Sequence, residues 1–325
     1  MQSEKMDIIV TGSIAYDYLM RFPGSFKEHI LTESLNQVSL SFLVEEMTKH
    51  RGGTAGNIAY TIARFGLRPR LMGTVGQDFG DYRAWLEDAG VDCSPVRVIH
   101  EVFTASFFCN TDNENNQISS FYSGAMSYAK DYALAHMPGS LGNLVIISPN
   151  DPQAMSNLAE ECRQNKLRFV YDPSQQVARL DGDTLKRDMQ GAYVMIVNEY
   201  ETHIISTKTG MSLDEIRAAV NILVVTHGKE GSRIYTQHEV LEVPAFPTQV
   251  IKDPTGAGDA YRAGFVTGLV KDLPLKLCGE IGSLCATYVL EHIGTQNHHY
   301  TAAEFVSRFR SEFADDGQLD VLLAN

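Results

Sequence analysis

Long apolar runs are missing from the sequence, and that sets a first boundary. Its apolar stretches fall far short of the roughly 20 residues that a membrane-spanning helix needs. Met1 to Asp7 is polar and charged and leads straight into Ile8-Ile9-Val10, without the apolar centre of a signal peptide, so a cytoplasmic protein is expected. Cysteine is scarce as well. Cys93, Cys109, Cys162, Cys278 and Cys285 are odd in number and never in C-x-x-C spacing, which argues for reduced thiols and against a disulfide framework or a thiolate zinc site. The third shortage is positive charge: 27 Lys and Arg face 40 Asp and Glu, a balance of −13. Such a surface disfavours nucleic acid and anionic membranes as partners, yet it leaves room for a local basic pocket around a phosphorylated ligand.

Several signatures are absent too. There is no G-x-x-x-x-G-K-[ST], no G-x-G-x-x-G after the first apolar run, no H-E-x-x-H and no G-x-S-x-G. This removes the P-loop, the dinucleotide fingerprint, the commonest zinc hydrolase and the nucleophile elbow. His298-His299 reads as a solvated loop. Repeats, low-complexity tracts and Pro/Ser-rich linkers are lacking, so residues 1–325 are treated as a single domain.

What is present is an ordinary globular composition, 44% apolar and 21% charged. Short β-branched runs at 7–11, 70–74, 143–148, 168–172, 193–198 and 222–226 alternate with helical stretches at 54–65, 81–89, 153–164 and 212–220. The runs show little polar alternation, as strands covered on both faces should not. The expected fold is therefore α/β, a doubly wound and mostly parallel sheet. Gln37–Val44, Thr104–Asn110 and Gln117–Tyr122 instead look like antiparallel strands with one wet face. They suggest a small β-sheet lid inserted from about 15–50 and 101–123. Its Phe107, Phe108, Phe121 and Tyr122 suit either lid core or a face that stacks on a ligand ring.

The strongest motif is Asp253-Pro254-Thr255-Gly256-Ala257-Gly258-Asp259, followed by the apolar stretch Ala260–Val270. Gly256, Ala257 and Gly258 let the backbone turn tightly and aim N–H groups at one spot where a helix begins, which makes an anion hole. Asp259 sits at its mouth, where a carboxylate can act as a general base towards a hydroxyl or simply favour the helix dipole. A second glycine turn, Gly52-Gly53-Thr54-Ala55-Gly56-Asn57, carries an amide that can both donate and accept, as hydroxyl recognition requires. Asp17 follows the first strand, where open α/β sheets bind ligands, and could hold two vicinal hydroxyls. Asn198 and Glu201 lie one helical turn apart, a spacing that suits a hydrated Mg²⁺ near phosphates or a plain charged helix face. Thr226, Gly228 and Gly231 form a small-residue turn that could pass close to a nucleotide or merely join a hairpin.

Taken in order, these segments resemble the ribokinase-like (PfkB) family of carbohydrate and nucleoside kinases, and the likeness covers nearly the whole chain. The resemblance implies a doubly wound body with a β-sheet lid and MgATP-dependent transfer of a γ-phosphoryl group to a hydroxymethyl. By motif match it implies Asp259 as catalytic base and Gly256, Ala257 and Gly258 as anion hole. It places sugar hydroxyls on Asp17, Gly52, Gly53 and Asn57, the Mg²⁺-phosphate region on Asn198 and Glu201, and the nucleotide on Thr226, Gly228 and Gly231. Many sugar kinases of the family carry Lys after the glycine pair; Thr54 stands there instead, as it can in nucleoside kinases. Phe121-Tyr122-Ser123-Gly124-Ala125-Met126 and the segment from Cys285 to Gly294 look like adenosine kinases. Adenosine or a related ribonucleoside is therefore the expected acceptor, with ribose or fructose as the alternative and a non-catalytic nucleoside or sugar sensor as a rival of another class. K⁺ activation near Asp253, and a monomer against a dimer joined through the lids, are left open by the sequence.

Overall fold

Ile8, Ile9 and Val10 are all buried, and their side chains alternate between two separate hydrophobic cores. A strand of this kind has to lie at the centre of a sheet covered on both faces. The computed structural model, which describes residues 7–29 and 40–323, places it there. Its strands are β1 (Ile8–Thr11), β2 (Ala15–Arg21), β3 (Glu46–Gly52), β4 (Arg70–Gly76), β5 (Val96–Ile99), β6 (Ala105–Thr111), β7 (Gln117–Tyr122), β8 (Leu144–Ile147), β9 (Arg168–Tyr171), β10 (Val194–Asn198), β11 (Ile222–Thr226), β12 (Ser232–Tyr235) and β13 (Val240–Val243). The helices are α1 (Phe26–His29), α2 (Thr54–Ala63), α3 (Gly80–Asp88), α4 (Pro152–Gln164), α5 (Gly182–Met189), α6 (Glu199–Thr209), α7 (Leu213–Ala219), α8 (Ala257–Val270), α9 (Leu275–Leu290) and α10 (Ala302–Phe309).

Nine strands form the large sheet in the order β13-β12-β11-β10-β9-β8-β1-β4-β5. Neighbours from β11 to β5 run parallel, and β12 and β13 add an antiparallel edge. One core joins Ile8, Val10 and Ile146 to α2 and α8; the other joins Ile9, Val145 and Ile147 to α4 and α5. The expected doubly wound α/β body is thus present. From β1 the chain steps outward to β4 and β5, then returns to β8 on the opposite side of β1. The β1–β8 border is therefore a topological switch point, and the crevice beyond its carboxyl ends is where such sheets bind ligands. Ser13 N donates to Pro149 O at 2.8 Å across that border.

The small sheet has the order β3-β2-β6-β7 and differs from expectation in two ways. First, β2 and β6 pair in parallel, so the lid is mixed rather than purely antiparallel. Second, the strand expected at Gln37–Val44 is displaced. Residues 37–39 lie outside the described residues, 40–44 have no regular structure, and the strand is the charged Glu46–Gly52. Phe42 instead packs edge-on against Phe22 and Phe26, so the apolar character of this stretch serves an aromatic cluster. The expectation of a solvated His298 also fails. His298 is fully buried, its Nε2 lies 3.2 Å from Thr61 Oγ1, and its ring packs edge-on against Tyr60. Burial holds it far below the usual imidazole range, at about 3, so it is a neutral packing group.

Candidate active site

The first wall of the crevice is the turn between β3 and α2. Gly53 caps α2 at φ 85, and a Cβ there would lie 2.5 Å from Ser13 O and 2.6 Å from Ala15 N. Only glycine meets both conditions. Ser13 Oγ accepts from Thr54 N at 3.1 Å, which supplies the helix cap that Gly53 cannot. Gly52 serves a neighbour: a Cβ on it would come within 2.5 Å of Asp17 Oδ2, so the missing side chain makes room for that carboxylate. Asp17 reaches this place from β2, where it pairs with His50 on β3. Burial raises its carboxyl above the usual range, His50 opposes this, and Asp253 adds to it.

The second wall is the start of α8. Gly256 is the N-cap in left-handed conformation (φ 81), and no side chain caps the helix. The first-turn amides of an α-helix lack intrahelical acceptors; Ala257 N donates to Pro254 O at 3.3 Å, which leaves the N–H of Gly258 to receive an anion. Asp253 holds the loop: its Oδ1 accepts from Thr255 N at 2.9 Å and its Oδ2 from Gly294 N at 3.0 Å. Partial burial works against its charge, but these hydrogen bonds win and keep the carboxyl below its usual range.

Asp259 joins the two walls. Asn57 Nδ2 on α2 donates to Asp259 Oδ2 on α8 at 2.8 Å, and Asn57 Oδ1 accepts from Thr295 Oγ1 at 2.7 Å and Gln296 Nε2 at 2.9 Å. Burial pushes the Asp259 carboxyl up to about 6; Arg262 and the Asn57 hydrogen bond hold it down, while Asp172 and Glu201 add to the rise. The carboxylate is still mostly ionised at neutral pH, and its basicity is greater than that of an exposed Asp.

Between the walls lies a cavity of about 460 Å³. Asp17, Gly53, Asn57, Gly256 and Asp259 all line it, with Phe107 and Phe121 from the lid. Phe107 and Phe121 face each other across the β6–β7 pair, whereas Phe108 stacks on Tyr18 at 4.9 Å. The cavity also borders Thr54 of the second glycine turn, and Gln176, Arg179 and Thr295, which reading of the sequence missed. Thr295 and Gln296 directly follow the Cys285–Gly294 segment, and that adjacency was the only available signal.

Asn198, Glu201, Thr226, Gly228 and Gly231 lie apart from that cavity. Asn198 and Thr226 are register partners at the carboxyl ends of β10 and β11. Asn198 Oδ1 accepts from Glu201 N at 2.8 Å, and Glu201 Oε2 accepts from Asn198 N at 2.9 Å, a reciprocal box that caps α6. Thr226 ends β11, and Gly228 and Gly231, both at positive φ, belong to the turn of the β11–β12 hairpin. Glu199 at the start of α6, with His227 and Glu230 of that turn, borders a neighbouring depression of about 350 Å³. Among the described residues no group of three or more His, Cys, Asp or Glu could hold a metal ion. No helix among them is long and apolar enough to cross a membrane.

Residues 11–302 match the pattern of the pfkB family carbohydrate kinases. The chain belongs to this family. It is 31% identical over 314 residues to a nucleoside kinase of Methanothermobacter thermautotrophicus, covering 96% of this chain and 98% of that one. The structure of Burkholderia thailandensis nucleoside kinase in complex with inosine is 34% identical, with a TM-score of 0.84 over 94% of this chain and 98% of that chain. The same enzyme in complex with ADP-inosine gives 36% identity and a TM-score of 0.81, over 94% and 96%. The ribokinase-like fold, with its large mostly parallel sheet and smaller lid sheet, is common to this pfkB-family kinase and these neighbours.

Proposed function

We propose that the chain is an ATP-dependent nucleoside kinase that phosphorylates the 5′-hydroxymethyl of a ribonucleoside, with adenosine as its first acceptor. The observation that carries the reading is the Asn57–Asp259 hydrogen bond at the mouth of α8, in a cavity also lined by Asp17 and two lid aromatics. Those parts suit three regions of one ligand. Asp17 accepts from the vicinal ribose hydroxyls, Phe107 and Phe121 cover the base, and Asp259 takes the 5′-hydroxyl proton. Gly52 and Gly53 let the sugar approach the backbone, and Asn57 has a second amide hydrogen for a ribose oxygen.

Phosphoryl transfer has a loose transition state, so positioning and charge stabilisation carry most of the rate. Asp259 need only accept a proton that leaves late. The amides of Gly256, Ala257 and Gly258 would face the charge on the migrating group. Asn198, Thr226, Gly228 and Gly231 would line the nucleotide. Glu201, with one carboxylate oxygen beyond its capping bond and, among the described residues, no metal-binding group of three or more His, Cys, Asp or Glu around it, fits a hydrated Mg²⁺ held mainly by phosphates and water. Bound there, the ion would neutralise phosphate charge.

Adenosine is preferred on the adenosine-kinase look of 121–126 and 285–294; inosine comes next, because it occupies the Burkholderia relative. The test is a panel of adenosine, inosine, guanosine, cytidine, ribose and fructose with MgATP, scored by kcat/KM. Preference for adenosine supports the full reading, preference for another nucleoside corrects the base, and preference for a free sugar or no turnover at all overturns it.

A further inference from the structure

Below the cavity lies a buried cation that the reaction outlined above does not use. Arg262, on α8 one turn after Asp259, has a side chain only 9% exposed. Its Nε lies 2.6 Å from Oδ2 of the fully buried Asp172, which follows β9. Its Nη2 donates to Ser174 Oγ at 2.7 Å, and Ser174 Oγ in turn donates to Asp172 Oδ1 at 2.6 Å. Ser174 adopts φ 37, a conformation that side-chain-bearing residues rarely take. The third arm, Nη1, lies 3.9 Å from Asp259 Oδ1. Gly258 leaves the space for it, since a Cβ there would come within 2.7 Å of Nη1. The guanidinium is thus gripped on two sides and points its remaining nitrogen at the candidate base.

The charges around Asp259 come from several elements. Arg262 stands on α8, Asp172 after β9 and Glu201 on α6, with Asn57 a neutral donor on α2. Asp17 and Arg179 line the same cavity. Asp259, Asp172 and Glu201 make three carboxylates around one guanidinium. Without that cation the inner two would repel a charge on Asp259. We infer that Arg262, anchored by Asp172 and Ser174, is a positioning residue that keeps Asp259 ionised and turned towards the acceptor hydroxyl. This rests on Asp259 being the general base.

The test compares full pH–rate profiles of the wild type, Arg262→Gln, Arg262→Lys and Asp259→Asn, each checked for folding by circular dichroism and for ADP binding by calorimetry. Loss of the cation raises the Asp259 pKa, and the base acts in its ionised form, so activity falls most at low pH. Arg262→Gln is expected to move the acid limb of kcat/KM up by at least one unit, a loss of at least about fivefold at pH 6. Much of the rate returns by pH 8.5, and the KM for ATP stays unchanged. Asp172 without its partner costs stability. Arg262→Lys is therefore the second variant: its ammonium can still pair with Asp172 but lacks the fork that reaches Asp259, so the same shift is expected. An acid limb unmoved in both variants, or failure of both to fold, overturns the inference and makes Arg262 scaffold. Near-normal turnover in Asp259→Asn overturns the underlying base assignment instead.

Discussion

Asn57 and Asp259 are 202 residues apart in the chain, yet the amide of one donates to the carboxylate of the other at 2.8 Å. The bond ties α2, which follows lid strand β3, to α8, so the two glycine turns face one space. It also gives the buried carboxylate a fixed direction. Asn57 is itself held by Thr295 and Gln296, and Gln296 Nε2 donates on to Tyr82 OH, whose hydroxyl donates to Gly52 O at 2.9 Å. The two halves of the cavity are thus joined by a continuous hydrogen-bonded path.

Replacing the amide tests that path. Asn57→Ala removes a donor from Asp259 and takes from Thr295 and Gln296 one of the acceptors each uses, leaving Thr295 with Arg51 O and Gln296 with Tyr82 OH. The expected cost is about 1–3 kcal/mol of stability, read by urea unfolding. With the hydrogen bond gone the Asp259 carboxyl rises further, so the acid limb of the rate profile moves to higher pH. An unchanged limb would mean that Asn57 does not act through Asp259.

Asp259 has its own signature. Asp259→Asn keeps the shape and the contact with Asn57, so nucleoside binding should persist while kcat falls by about 10²–10⁴-fold. Wild-type turnover should decline as pH falls through about 6, where the carboxylate takes up its proton. The same shift acts on stability with the opposite sense. The folded chain holds this proton more tightly than the unfolded chain, so the group costs nothing below the unfolded value of about 3.9 and its full amount above about 6. The melting temperature of the wild type minus that of Asp259→Asn should therefore drop between pH 4 and pH 6.

Why some of this was legible in the sequence and some was not follows from how each residue is used. The parallel strands announced themselves because a strand covered on both faces has no choice but continuous apolar residues, as in Leu144–Ile147. The two glycine turns were visible because Gly53 and Gly256 occupy conformations that other residues avoid. Glu46–Gly52 was hidden, since a lid strand with its outer face in water can be charged, and Gln37–Val44 nearby looked more strand-like. Arg262 sits inside a helix that reads as apolar, and its partner Asp172 is 90 residues away. His298 is buried contrary to expectation because only the fold shows that its ring packs against Tyr60 and Tyr300. Local pattern reveals what the backbone needs; partners brought from distant loops leave no local mark.

The adjacent glycines Gly52 and Gly53 should respond differently to one methyl group. At Gly52 the nearest obstacle is the side-chain oxygen of Asp17, which can swing away. Gly52→Ala should fold and bind nucleoside more weakly, raising KM by about tenfold with a smaller change in kcat. At Gly53 the obstacles are backbone atoms of Ser13, Ile14 and Ala15, and φ is positive. Gly53→Ala should cost stability outright, by an amount on the order of 1–3 kcal/mol. Equal effects on melting temperature and KM at the two positions would contradict this placement of Asp17.

Phe121 offers a test of which end of the cavity receives the base. It is half exposed, lies opposite Phe107 in the lid and borders the same space as Asp259, with no part in the body's core. Truncating it should therefore leave stability nearly unchanged. Stacking of a base on an aromatic ring is worth about 1–3 kcal/mol, so Phe121→Ala should raise the KM for a nucleoside roughly 5- to 150-fold. Any slow turnover of free ribose, which has no base to stack, should be unaffected. The ratio of the two substrates therefore separates stacking from a general loosening of the lid: a variant that lost both in equal measure would place the base elsewhere.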